Sequence, residues 1–184
     1  MDIKKDFIPI NQNYDHLLGY QKSECIYDIT FYFAHKYLER GDRTIDQMVQ
    51  AARSGKQNIA EGIEARATSK ETGIKLVNVA RASLQELLID YRDYLRVREL
   101  TLWTPDSENG KLCRRSCSRH NDSAFYREAI KKRNDTAIAN IAITLIFQCD
   151  NLLRGLIEHL KQDFVTQGGI KEEMTRARLQ MRKS

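Results

Sequence analysis

The chain has 184 residues, 41% of them apolar and 30% charged, with a net charge of +5 and only two prolines. That length suits one domain with a real core, and the balance suits a soluble, mostly helical protein with charged outer faces. The longest apolar run, Ile138 to Phe147, is about half of the ~20 residues a membrane span needs, and the start Met1-Asp2-Ile3-Lys4-Lys5-Asp6 lacks a signal-peptide core. A cytoplasmic protein with no membrane partner is therefore expected, its four cysteines reduced thiols.

Residues 1 to about 15 read as a polar, irregular lead-in around Pro9. A first helix is expected over about 14–40, where Leu18, Ile26, Ile29, Phe33 and Tyr37 form one apolar stripe. Gly41 ends it in a left-handed cap, and Asp42 can accept backbone N–H bonds to start the next helix. That second helix, about 43–63, carries Ile45, Met48, Val49, Ala52, Ile59 and Ile63. Gly55 inside it costs about 1 kcal/mol relative to alanine and implies close approach of a neighbouring helix.

Thr68-Ser69-Lys70-Glu71 reads as a capping box that opens a third helix over about 69–99, with Leu76, Val79, Ala80, Leu84, Leu87, Leu88, Tyr91 and Leu95 as its stripe. Residues 100–121 lose periodicity and hold Pro105 and Gly110, so a long loop is expected. Asn121 or Asp122 caps a fourth helix over about 122–164, which carries Ala137, Ile138, Ile141, Leu145, Leu152, Leu156 and Leu160 and ends at Gly168-Gly169. A charged extension, 165–184, follows. Four long amphipathic helices predict an all-α, up-down-up-down antiparallel bundle over 1–164.

Two stretches are then informative together. Arg53-Ser54 followed by Asn58-Ile59-Ala60-Glu61-Gly62, and Ala80-Arg81-Ala82-Ser83-Leu84 with Glu86-Leu87, resemble the bacterial "four helix bundle protein" family. That family includes proteins encoded by intervening sequences of 23S ribosomal RNA genes and the accessory variability determinant of diversity-generating retroelements. The resemblance covers about residues 26–100. Asp163-Phe164, Gly168-Gly169-Ile170 and Met174-Thr175-Arg176-Ala177-Arg178-Leu179 are similar to a longer subgroup with a C-terminal suffix region. The resemblance implies a homopentameric ring, no enzymatic activity and, for the retroelement member, binding to nucleic acid and a reverse transcriptase through a basic surface.

Charge is localised. Residues 111–133 hold eight Lys/Arg against two acids, a net +6, and residues 171–183 hold five against two, a net +3. Lys111, Arg114, Arg115, Arg119, Arg127, Lys131, Lys132, Arg133, Arg176 and Arg178 are the candidate phosphate contacts. Phe125 and Tyr126 are candidates for base stacking or for core. The signature residues Arg53, Gly55, Asn58, Glu61, Gly62 and Arg81 read as structural or as a ligand or subunit contact, with Arg81 a partner for Glu61. Cys113, Cys117 and His120 have a C-x3-C-x2-H spacing that could hold zinc, with a fourth ligand needed from Cys149 or His159; the flanking arginines oppose a cation. The same run could be a phosphate-meeting loop or a solvated linker.

Tyr27 and Phe31 lie off the core stripe of the first helix, so that helix has a second apolar face, suited to a neighbouring subunit or to a broad core. No phosphate loop, H-E-x-x-H or inward Glu-x-x-His pair is present, so no catalysis and no cofactor is expected. The expected function is a non-catalytic RNA- or DNA-binding accessory oligomer. The alternative is a protein-interaction scaffold that uses the tail.

Overall fold

The computed structural model describes residues 14–181, and within them the chain is all-helical. The lead-in expected before Tyr14 and the last three residues of the tail lie outside the described part. A 3₁₀ turn at Tyr14–His16 precedes seven helices: α1 Leu18–Tyr37, α2 Arg43–Ala65, α3 Lys70–Val97, α4 Glu108–Arg119, α5 Ser123–Lys131, α6 Asp135–Gln167 and α7 Ile170–Met181.

α2 and α3 form the tightest pair. Their buried positions run Met48, Ala52, Gly55, Ile59 and Gly62 on α2, and Gly73, Val77, Ala80, Leu84, Leu87, Tyr91 and Tyr94 on α3. Both series alternate steps of four and three, the spacing of helices packed along their lengths. Glycine on one helix faces bulk on the other. A Cβ on Gly55 would sit 2.8 Å from Leu84 Cδ2, and one on Gly62 would sit 2.9 Å from Val77 Cγ2. Gly55 therefore does have the close neighbour that its cost demanded. Gly73 is as close from the other side, since its Cβ would lie 2.8 Å from the Gly62 carbonyl oxygen, a backbone atom.

α1 packs on α2 and α6, and α3 on α2 and α6. The Arg81–Asp150 and Tyr94–Asp135 contacts run α3 antiparallel to α6, and Gly19–Leu153 with Tyr37–Arg133 does the same for α1. At the centre Phe33, Tyr91 and Tyr94 cluster, and Tyr91 Oη donates to Thr30 Oγ1 at 3.0 Å, which satisfies a polar pair inside a fully buried layer.

The structure corrects several expectations. α1 ends at Tyr37, with Gly41 left-handed (φ 92°) in the connecting turn and Asp42 accepting from Thr44 N at 2.8 Å. The cap of α3 is Ser69, which accepts from Thr72 N, while Thr68 donates back to Ala65 O and Glu71 pairs with Lys75. α3 ends in a paired turn, Glu99 N to Arg96 O and Leu100 N to Leu95 O, with Glu99 at φ 54° where glycine is usual.

The region 100–121 is not a loop, because α4 fills most of it. Ser107 caps α4 by accepting from Gly110 N, and Gly110, Cys113 and Cys117 are its buried stripe against α6. The expected fourth helix is two helices. Asp122 caps α5, the chain leaves helical geometry after Lys131, and Asn134 caps α6 by accepting from Ala137 N at 3.0 Å. Buried Asn140 fastens the 101–103 segment to α6, accepting from Trp103 N and donating to Thr101 O. The extension contains α7, entered through Gly168 at φ 75°.

By length and composition alone α6 could cross a membrane over Asp135–Thr166, more than the ten-residue apolar run suggested; 56% of its apolar 18-residue window is buried inside the protein.

Candidate nucleic-acid interface

α4 and α5 are laid over the outside of the α6 and α1 helices. Burial of Gly110, Cys113 and Cys117 on α4 leaves Lys111, Arg114, Arg115 and Arg119 exposed on the rest of that helix. Burial of Tyr126 and Ile130 on α5 leaves Arg127 and Lys131 exposed, and Lys132 and Arg133 follow in the turn to α6. The eight cations of 111–133 thus all reach solvent.

They are not equivalent. Lys111 pairs with Glu108, Lys131 with Glu128 at 2.6 Å, and Arg127 with Asp28 of α1 at 2.8 Å. Arg114 donates to Pro105 O at 2.6 Å, and Arg133 donates to Ala129 O. The side chains of Arg115, Arg119 and Lys132 make no hydrogen bond or ion pair among the described residues, although Lys132 adds to Lys131 in holding the Glu128 carboxyl below its usual range. Arg176 and Arg178 lie on α7, beyond the far end of the 33-residue α6, so α7 begins roughly 50 Å from Lys132 and Arg133. The two basic segments therefore do not converge at that end.

α4 is held down by a buried ammonium. Lys22 of α1 is only 5% exposed, and its Nζ donates 2.7 Å to Cys117 O, a carbonyl in the last turn of α4. Lysine at a helix C-terminus satisfies an otherwise orphaned acceptor. Desolvation holds the Lys22 ammonium below the ordinary lysine range.

The cysteines are buried and do not make the zinc site their spacing allowed. The Cys113 and Cys117 sulfurs are 3.9 Å apart in the core, while the His120 ring stacks on Phe125 with centroids 3.7 Å apart. Among the described residues no group of three His, Cys, Asp or Glu is placed to hold a metal. The Cys117 hydrogen bond pulls the Cys113 thiol below the usual thiol range, and the same bond with burial pushes Cys117 up.

The stacking candidates are also used internally. Tyr126 is buried with its hydroxyl donating to His120 O, and Phe125 is half-buried against His120. The exposed aromatic face is on α1 instead. Tyr27, Phe31 and His35 follow one another at four-residue steps, with ring centroids 6.4 and 4.3 Å apart. They line an open groove of about 700 Å³ between α1 and α5, with Ile130 in its floor and Lys36, Arg127 and Lys131 on its rim. Lys56 of α2 places its Nζ 4.7 Å over the Tyr27 ring. The second apolar face of α1 was visible in the sequence. Lys36 and Lys56 were not singled out there, because nothing in the linear order brings them to α5.

The signature residues divide. Asn58 donates to Ser54 O and Oγ, and Ser54 Oγ bonds Ser83 Oγ of α3 at 2.9 Å, a polar bridge beside the glycine crossing. Arg81 pairs with Asp150 of α6 at 2.8 Å, not with Glu61. Arg53 and Glu61 are exposed. Set against family models, curated proteins and solved structures, the chain matches none of them.

Proposed function

We propose that the protein is a non-catalytic, cytoplasmic, nucleic-acid-binding accessory protein that meets phosphates through the α4–α5 face. The observation that carries this reading is the pair Arg115 and Arg119, exposed cations without an acidic partner among the described residues, together with exposed Lys132, which shares Glu128 with Lys131. An unpaired surface cation keeps its full attraction for phosphate, and release of condensed counterions drives such binding.

We read α1, α2, α3 and α6 as an up-down-up-down four-helix bundle of the type the resemblance implies, with α4 and α5 as an outer layer. Self-association into a homopentamer belongs to the same reading. Val79, Ile89 and Phe147, each about half exposed on α3 and α6, offer apolar surface for it. Light scattering in solution tests the pentamer.

The binding test is fluorescence anisotropy of labelled RNA and DNA across a salt series. Affinity falling linearly on a log–log plot is expected. Binding indifferent to salt, or none, would remove the reading. A scaffold role is favoured by one separate observation: α7 exposes Met174, Leu179 and Met181. In that reading the helix docks on a protein partner such as a reverse transcriptase, and deleting residues 170–184 abolishes capture of that partner with helicity otherwise intact.

A further inference from the structure

The α1/α5 groove combines two features. Its wall is aromatic, and Phe31 is 50% exposed there. Its rim is cationic, with Lys36 from α1 and Arg127 and Lys131 from α5. Asp28 and Glu128 are the nearby acids, and each is already engaged, Asp28 by Ser123 and Arg127 and Glu128 by Lys131.

We propose that this groove is a base-stacking subsite that makes the protein select single-stranded over duplex nucleic acid, with a base on Phe31 and Tyr27 and its flanking phosphates on Lys36, Arg127 and Lys131. The inference rests on the nucleic-acid reading above and narrows it.

Charge complementarity decides the occupant. A second copy seated by an apolar helix would cover the rim ammonium and guanidinium groups and supply nothing to them. A single strand supplies flat apolar rings to the wall and anionic oxygens to the rim at once. The donors are available. Both bonds made by Arg127 use Nη1, which leaves the Nε and Nη2 hydrogens, and Lys36 and Lys131 each spend one of three hydrogens on a neighbour. The spacing also fits. The Tyr27 and Phe31 centroids lie 6.4 Å apart with their rings tilted by 37°, so a flat ring can stack on exposed Phe31 with half-buried Tyr27 beside it. In a duplex the base faces are hidden, so no ring can stack on Phe31, and only the backbone and the groove edges remain to bind.

The experiment compares labelled oligothymidylate, a duplex of the same length and inorganic polyphosphate as competitor, on wild type, Phe31→Ala, Tyr27→Ala and Phe31→Trp. The expected result is a preference of wild type for the single strand. Phe31→Ala weakens that binding by roughly 5- to 100-fold. Duplex binding and polyphosphate competition stay unchanged, and so does the salt slope. Phe31→Trp restores the single-strand preference. Wild type binding both forms equally, or both alanine variants retaining full single-strand affinity, overturns the subsite and leaves the phosphate surface standing. Loss of mass in light scattering on Phe31→Ala overturns it too, because the groove would then be a contact between copies. No binding by wild type to any probe overturns the nucleic-acid reading itself. Should the alanine variants unfold, ultraviolet cross-linking of a 4-thiothymidine strand to wild type decides: adducts on the Tyr27–Phe31 peptide support the subsite, and adducts confined to α4 refute it.

Discussion

Replacing Arg115, Arg119 and Lys132 together by glutamine isolates the exposed cations that make no hydrogen bond or ion pair among the described residues. Each phosphate contact to a single strand contributes about 0.7 to the slope of log affinity against log salt, so losing all three lowers that slope by about 2. Between about 50 and 200 mM salt, three such contacts account for a roughly 20-fold fall in affinity. Wild type should therefore lose roughly 20-fold more affinity than the triple variant over that range. Arg127 and Lys131 are left unchanged in this variant, because they belong to the α1/α5 groove and each also shares its charge with an acid, Asp28 and Glu128. A second variant, Lys75→Gln with Arg96→Gln, removes two cations paired along α3 with Glu71 and Asp93 and should leave the slope where it was. Anisotropy titrations of one oligothymidylate at four or more salt concentrations measure both. All three target side chains are exposed, so melting should shift by no more than about 0.5 kcal/mol. An unchanged slope in the triple variant, or an equal drop in the α3 control, would show that the α4–α5 face does not hold the phosphates.

The packing makes further predictions. Gly73→Ala should cost about 1–2 kcal/mol in urea unfolding, since its methyl meets the Gly62 carbonyl and overpacking outweighs the roughly 1 kcal/mol gained in helix propensity; Gly155→Ala, which meets nothing within 4 Å, should gain up to about 1 kcal/mol. A Gly73→Ala variant as stable as wild type would contradict the close crossing. Glu99→Gly should stabilise by about 1 kcal/mol, because only glycine adopts φ 54° without strain; destabilisation on the same unfolding curve would count against the turn. Asn134→Ala should cost about 1 kcal/mol through loss of the α6 cap, read as a lower melting temperature. Thiol labelling followed by mass spectrometry should find Cys113, whose thiol is held down by its bond with Cys117, modified at a rate that rises with pH, while Cys25 and Cys149, pushed up to about 12 by burial, stay unlabelled until the protein unfolds. Equal labelling of all three would refute the buried arrangement.

The long helices were legible because their apolar stripes are long and unambiguous. Met48, Ala52, Ile59 and Ile63 repeat at helical spacing, and Gly55 stood out as an uncompensated cost that only a near neighbour could repay. α4 was not legible for a physical reason. Its buried stripe is Gly110, Cys113 and Cys117, residues with too little apolar surface to mark a period against arginines on the other faces. The break between α5 and α6 was hidden differently. Tyr126, Ile130, Ile138 and Ile141 keep a helical register straight through it, and no glycine or proline interrupts them. Only Asn134 followed by Asp135, a strong cap, marks where one helix stops and another begins.

A cluster of charge in the sequence is not yet a surface. The net +6 of residues 111–133 loses Arg127 to Asp28, an acid about a hundred positions earlier, and Lys111 and Lys131 to acids one helical turn away. Burial of the Cys113/Cys117 stripe then decides which cations point outward together. Aromatic rings followed the opposite course. Tyr126, sitting inside the basic run, went into the core, while Tyr27 and Phe31, far from it in sequence, were carried to its edge when α5 packed on α1. The juxtaposition of ring and cation is thus a product of tertiary packing. That is why the basic half of the candidate site could be read from the chain and the aromatic half could be read only as an unpartnered helix face.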